Sequence, residues 1–307
     1  MEQQLRETAK KLLTEKTVDV VIGYGRVESG QIGAIFVSNP DEVERLVWNQ
    51  ECRQNLVVYL TRKEVQKLGK AAIVVKGCDA KAIVVLANES QIKRDELVVI
   101  GMICNGIIEE SQRTNGNPWA DSNDSSNKLP IYEKCETCVE HQPKNVDIVI
   151  GDPAAANPDT LSKAERDQKG KYAKLAKLKA MTQEERFAYW KKEFSRCVKC
   201  YACRQNCPLC YCNQCVVDKN RPIRIDTSAT LKGNFAWNIL RAFHLAGRCV
   251  GCGACSSACP AGIDLDLLNL SLSIAAEDNF NFVSGKELGT APLIGTFSEN
   301  DREDFIR

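Results

Sequence analysis

Residues 197–208 read CVKCYACRQNCP, and residues 249–260 read CVGCGACSSACP. Both follow C-x2-C-x2-C-x3-C-P, the run associated with paired [4Fe–4S] clusters, in which the fourth cysteine ligates the other cluster. Three thiolates at intervals of three wrap three corners of one cubane, and the proline directs the backbone away from it. The spacing therefore predicts one cluster on Cys197, Cys200, Cys203 and Cys259, and a second on Cys249, Cys252, Cys255 and Cys207. Structural zinc sites take cysteines as two separated pairs, not as triplets with a distant fourth, so zinc fits these eight positions poorly.

The spacer between the copies carries fold information. Forty-one residues separate Cys207 from Cys249, too many for a minimal hairpin-based ferredoxin. Asn234 is expected to cap a helix that Gly247 ends, with Phe235, Ile239, Leu240 and Phe243 along one side. After the second copy, DLDLLNLSLSIAAED places leucines at helical intervals. A mostly α-helical dicluster ferredoxin domain over residues 197–277 follows, similar to that of HdrC-type subunits and of the N-terminal part of the small subunit of glutamate synthase. Cys210, Cys212 and Cys215, spaced C-x-C-x2-C, fall outside the pattern. Two readings stay open for them: an extra zinc or iron–sulfur centre completed by a ligand from elsewhere, or buried thiols packing as small apolar residues.

The chain has 307 residues, 44% hydrophobic and 26% charged, with a formal net charge of +1. That balance fits a globular protein with two domains and gives no field that would favour nucleic acid. Apolar runs such as AIVVLA (82–87) are too short to span a membrane, and MEQQLRETAKKLL lacks the apolar core of a signal peptide. The expected location is the cytoplasm. In that reducing compartment sixteen cysteines read as metal ligands rather than disulfides.

Residues 1–152 alternate strand-like runs (18–22, 71–75, 97–102, 146–151) with helical segments (3–14, 41–48, 61–69, 78–89). This is the pattern of an α/β domain around a mainly parallel sheet. GYGRVESG (23–30) lacks the glycines of a dinucleotide fingerprint and is expected to form a tight turn. SQRTNGNPWADSNDSSNKLP (111–130) reads as a long loop, either a functional lid or a mobile insertion. Residues 153–196 form a linker and basic helices, with 11 Lys/Arg against 5 Asp/Glu between Thr160 and Arg196. Thr182 and Glu185 are spaced as a capping box, and Phe187, Trp190 and Phe194 share one helix face. An acidic tail closes the chain over 278–307.

Five further cysteines lie in the first half. Cys78 stands where a strand gives way to a helix, Cys104 lies just past a strand end, and Cys135 and Cys138 form a C-x2-C pair. Sites in open α/β sheets form beyond the carboxyl ends of strands, where helix N-termini favour anionic ligands. Cys78, Cys104, Cys135 and Cys138 are thus a candidate third [4Fe–4S] set, with Cys52 an alternative member. The stretches VDVVIGY, LVWNQECRQNLVVYL, VVKGCDAKAIVVL, LVVIGMICNGII and KCETCVEHQPKNVDIVIGD resemble the FrhB-like family, beta subunits of deazaflavin-dependent hydrogenases and dehydrogenases. The resemblance implies electron transfer through a [4Fe–4S] cluster held by the same four cysteines, often with FAD. It departs from the family in lacking a Ser-Gly-Gly flavin loop before the first helix, and in carrying the ferredoxin domain where the family has its usual C-terminal half.

No nucleophile–base constellation can be drawn with only two histidines, His141 and His244, and no Walker sequence is present. The expected function is an iron–sulfur electron-transfer subunit of a cytoplasmic, anaerobic, multisubunit flavin-dependent oxidoreductase. A hydrogenase, a dehydrogenase or a heterodisulfide-reductase-like complex, electron-bifurcating or not, would fit. Its partners would be flavin- or nicotinamide-binding subunits. Two alternatives are an FAD-carrying catalytic subunit that reduces a diffusible carrier and a zinc-stabilised scaffold without redox function.

Overall fold

In the computed structural model of the chain, residues 1–108, 131–157, 161–219, 221–296 and 299 are described. The 111–130 stretch and the end of the expected tail (297–298 and 300–307) lie outside them. Two compact units emerge. One comprises Met1–Leu56, Lys63–Ala80 and Asp95–Lys174; the other comprises Val57–Arg62, Lys81–Arg94 and Leu175–Arg307. No helix among the described residues is long and apolar enough to cross a membrane.

The first unit is built on strands β1 (Val20–Arg26), β2 (Ile32–Val37), β3 (Ala71–Val75), β4 (Val98–Met102) and β5 (Ile148–Ile150), in the order β2-β1-β3-β4-β5. All neighbours are parallel except β1 and β2. Valine and isoleucine dominate the central strands, and Val20, Val21, Ile22, Ala72, Ile73, Val74, Val99 and Ile100 are fully buried. β-branched residues at nearly every position, rather than alternation, mark strands covered on both faces. Helix α1 (Glu2–Thr14) buries Leu5, Ala9, Leu12 and Leu13.

Three local expectations change. The turn expected over 23–30 forms only at its end, where the Gly30 N–H (φ 78°) donates to the Val27 carbonyl at 2.8 Å. GYGR is the second half of β1, paired antiparallel with β2, a strand not marked in the sequence reading. A Cβ at Gly23 would meet the tip of the Leu46 side chain, which packs closely over the strand there. The segment 41–48 is a 3-10 turn (Pro40–Arg45), not an α-helix: Asn39 caps it, and beyond it Val47 N–H donates to the Tyr24 carbonyl at 2.9 Å, drawing the chain out alongside β1. The segment 61–69 keeps only α2 (Lys63–Gln66). Lys70 N–H bonds the Asp19 carboxylate at 2.7 Å, and Gly69, at φ 97°, makes the bend into β3.

After β3 the chain enters α3 (Gly77–Asn88); after β5 it is helical, with α4 (Lys163–Asp167), α5 (Gly170–Ala180), α6 (Gln183–Ser195), α7 (Ala202–Gln205), α8 (Leu231–Leu245), α9 (Ala254–Ser257) and α10 (Leu265–Phe280). The Thr182–Glu185 capping box forms at the start of α6. The core of the second unit joins Phe194, Val217, Trp237, Ile263 and Leu265 with Cys203 and Cys255.

Helix α8 keeps part of its expected face, with Phe235 and Ile239 packed against the core, and departs from the rest. Its cap is Thr230, which accepts from Gly233 N–H at 3.2 Å, and Asn234 is instead an interior residue. The buried face carries Asn234, Trp237, Asn238 and Arg241, while Phe243 is 59% exposed. A polar stripe turned inward is costly unless something there needs hydrogen bonds or charge.

Candidate metal centres

The two cysteine copies fold alike. Lys199 and Tyr201 in the first, and Gly251 and Gly253 in the second, all take left-handed backbone angles, with φ of 57°, 58°, 69° and 68°. Each loop thus reverses on either side of its second cysteine and enters a short helix, α7 or α9, that carries the third. Alternation of right- and left-handed residues turns successive amides toward one side, a concavity suited to anions.

The copies interleave. Cys203 has Cys197 and Cys259 as electrostatic neighbours; Cys249 has Cys252 and Cys207; Cys255 has Cys207 and Cys249. The fourth cysteine of each copy lies among the thiols of the other. Cys200 stands exposed in its turn. Burial pushes Cys249 up to about 12 and raises Cys203 and Cys255, so these thiols resist ionising unaided. Iron supplies the positive charge that makes such buried sulfurs thiolates. The donor set fits [4Fe–4S] clusters.

The inward stripe of α8 serves this region. Asn234 donates both amide hydrogens, to the Phe194 and Cys197 carbonyls, each at 2.8 Å. Arg241, 5% exposed, donates to the Cys203 carbonyl at 3.1 Å. Burial works against its charge, but Cys207, Cys255, Cys210 and Cys203 outweigh burial and raise its pKa. From α10, Asn269 reaches the Cys255 sulfur at 3.7 Å. The sequence reading missed all three; the available signal was polar residues at helical spacing (234, 238, 241) between apolar neighbours.

In the first unit, close backbone approaches assemble the thiols. Cys78 occupies the first turn of α3, and a Cβ on Gly77 would strike the Glu140 carbonyl. Glu140 N–H in turn reaches the Cys138 sulfur at 3.4 Å. Gly106, at φ 108°, lets the loop after β4 pass Cys135, whose Cβ would lie 3.3 Å from any Cβ added there. His141 is buried; its Nδ1 lies 2.8 Å from the Cys104 carbonyl, while Cys104 N–H donates to the His141 carbonyl at 3.0 Å. Cys104 and Cys138 each have Cys135 as an electrostatic neighbour, and Cys78 and Cys104 both flank Lys76. Burial raises Cys104, and pushes Cys138 up to about 11.

Lys76 adds a fixed charge beside these thiols. Its ammonium bonds the Tyr24 hydroxyl, the Asp79 carboxylate at 2.8 Å and the Gln54 carbonyl at 3.0 Å, all in the interior. Cys52 is fully buried, held in its own turn by Asn49 N–H at 3.4 Å, and burial pushes it up to about 12.

Cys210 has Cys207 and Arg241 as electrostatic neighbours, Cys215 has Arg204, and Cys212 is exposed. Among the described residues no three His, Cys, Asp or Glu side chains are grouped to hold a metal ion. A single ion needs its donors converged, whereas a cubane takes one thiolate at each of four separate irons.

A model of a 4Fe-4S dicluster domain matches residues 193–263. Over 92% of its length the chain is 26% identical to a subunit named F420-dependent formate dehydrogenase subunit beta, from Methanocaldococcus jannaschii, covering 92% of that protein. It is 22% identical to F420-dependent formate dehydrogenase 1 subunit beta of Methanococcus maripaludis, over 77% of this chain and 78% of that one. The resemblance read from the motifs of the first half, and the dicluster domain behind it, both hold.

Proposed function

From an FrhB-like first half joined to a 4Fe-4S dicluster domain, the makings of an iron–sulfur electron-transfer subunit of an oxidoreductase, we propose the beta subunit of a cytoplasmic, multisubunit dehydrogenase of the formate dehydrogenase kind. It carries electrons between a substrate-oxidising partner and a deazaflavin- or nicotinamide-reducing site. Three [4Fe–4S] clusters form the relay: Cys197, Cys200, Cys203 and Cys259; Cys249, Cys252, Cys255 and Cys207; Cys78, Cys104, Cys135 and Cys138. Each cluster supplies one-electron carrier chemistry at a potential set by charge, burial and hydrogen bonds to sulfur. The chain's own contribution is to hold those terms fixed. Arg241 places a buried cation among thiols of both ferredoxin sets, and Lys76 does the same beside Cys78 and Cys104.

The observation that carries the proposal is the interleaving of the two copies, with Cys259 beside Cys203 and Cys207 beside Cys249 and Cys255. Only a shared pair of clusters needs the fourth cysteine exchanged in this way. The three relay clusters should contribute about twelve iron and about twelve acid-labile sulfide to the anaerobically purified chain. Formate, supplied through the co-purified partner subunit, should reduce the clusters as seen by electron paramagnetic resonance. No loss of iron on Cys135→Ser/Cys138→Ser would remove the first-half cluster, and a colourless, sulfide-free, zinc-bearing chain would remove the relay altogether.

One observation favours a second reading, in which the chain also carries FAD. A cavity of about 200 Å³ beside Cys104 is lined by Trp48, Asn49, Lys76 and Gly106. A flavin released from the isolated subunit by denaturation would support it, and a flavin-free chain that still passes electrons would end it.

A further inference from the structure

Cys210, Cys212 and Cys215 are the thiols that the relay leaves unused. All three line a cavity of about 280 Å³ within the second unit, whose wall also holds Arg62, Arg204, Arg241 and Arg248. Two of those guanidiniums are neutralised: Arg204 binds both Asp218 oxygens at 2.8 and 2.9 Å, and Arg248 binds Glu89 at 2.7 Å. The other two are not. Arg62 and Arg241 donate to backbone carbonyls, and the shielded Nε atom of each lacks any hydrogen-bond partner. Arg241 is also more than nine-tenths buried.

A desolvated guanidinium donor without an acceptor is destabilising by itself. The Nε atoms lie behind the cavity surface, but these two guanidiniums leave its wall with charge that no carboxylate among the described residues offsets. That charge favours an anion, and three thiols in the same wall identify its chemistry. An iron–sulfur core bound by thiolates carries net negative charge, and its sulfur atoms accept N–H hydrogen bonds. A lone zinc ion answers neither requirement, since it brings positive charge and needs converged donors, which the described residues do not offer. We propose that this cavity holds a further [4Fe–4S] cluster on Cys210, Cys212 and Cys215, its fourth iron taking a ligand other than cysteine. His244, in the same wall, offers an imidazole for that position. Because Cys210 and Cys207 are electrostatic neighbours and line the same cavity, the added cluster neighbours one of the ferredoxin pair and lengthens the relay at that end. The inference assumes that the ferredoxin pair of the proposed function is present.

The test compares the full chain with its Cys210→Ser/Cys212→Ser/Cys215→Ser variant, both purified anaerobically and loaded with iron-57. Iron, sulfide and zinc are assayed, and Mössbauer and paramagnetic resonance spectra are recorded. The variant should lose about four iron and about four sulfide relative to the unaltered chain, while the coupled signal of the ferredoxin pair persists. The readout is the difference between the two proteins, so a first-half site that fails to fill leaves it intact. Equal iron and sulfide in both would overturn the proposal, as would loss of zinc alone. Should the triple variant not fold, Cys212→Ser decides on the same criterion, since that thiol is exposed and its replacement spares the core.

Discussion

The two thiol-rich regions hold cysteines by opposite means. In the ferredoxin repeat, three sulfurs of each set come from seven consecutive residues, and the loop's own left-handed angles shape it. In the α/β unit, the four candidate ligands spread from Cys78 to Cys138, and no local conformation could gather them. There the work falls to long-range contacts: Gly77 against Glu140, Gly106 against Cys135, and His141 against Cys104. A local site tolerates perturbation of its surroundings and is sensitive to its own backbone. A dispersed site has the reverse sensitivity, and single substitutions can separate the two.

The largest effect should come from Gly77→Ala. The added methyl meets a backbone carbonyl, which cannot swing aside as a flexible side chain could. Overpacking of that kind costs about 1–3 kcal/mol or more, and here it parts α3 from the Glu140 loop. The variant should lose the first-half cluster, about four iron, while ferredoxin spectra stay unchanged. Unaltered iron content would break the contrast between a dispersed site and a local one. Next is Asn234→Ala, which leaves the Phe194 and Cys197 carbonyls without their buried donor at a cost of about 2 kcal/mol. It should lower the melting temperature and speed chelator-driven loss of the ferredoxin clusters, with the first-half cluster spared. His141→Phe should cost somewhat less, about 1–1.5 kcal/mol, through the bond to the Cys104 carbonyl. Its effect should be confined to iron retention in the first half.

The same contrast explains what could be read from the chain before its structure. Local chemistry was legible: the paired cysteine runs, the Thr182–Glu185 box, and strands β3 and β4 from their unbroken valine and isoleucine runs. What escaped was set by distant partners. Residues 41–48 have helical spacing, yet the pairing of Val47 with Tyr24 extends them. Asn234 looks like a cap, but the carbonyls it satisfies belong to a helix end some forty residues earlier in the chain. Of Phe235, Ile239, Leu240 and Phe243, Phe235 and Ile239 do pack against the core while Phe243 faces out. Because the thiols needed donors and a cation, α8 buries Asn234, Asn238 and Arg241 more deeply still. Apolar periodicity locates a core face only where the core is apolar.

The smallest effects distinguish the two copies of the repeat, which share one backbone but not one composition. At the position before the second cysteine, Gly251 adopts φ 69° and Lys199 adopts φ 57°. An L-residue held left-handed costs about 1 kcal/mol relative to glycine, while glycine loses more entropy on folding. Gly251 has open space where a Cβ would lie, so Gly251→Ala isolates the conformational cost from any clash. It should lower stability by about 1 kcal/mol, read as a modest fall in melting temperature with full iron content. Lys199→Gly should move the other way by less than about 1 kcal/mol, because relief of the left-handed strain is partly offset by the added freedom of the unfolded chain. If both substitutions destabilise alike, Lys199 must be held by contacts that glycine cannot make, and the equivalence of the two loops would stop at their backbone angles.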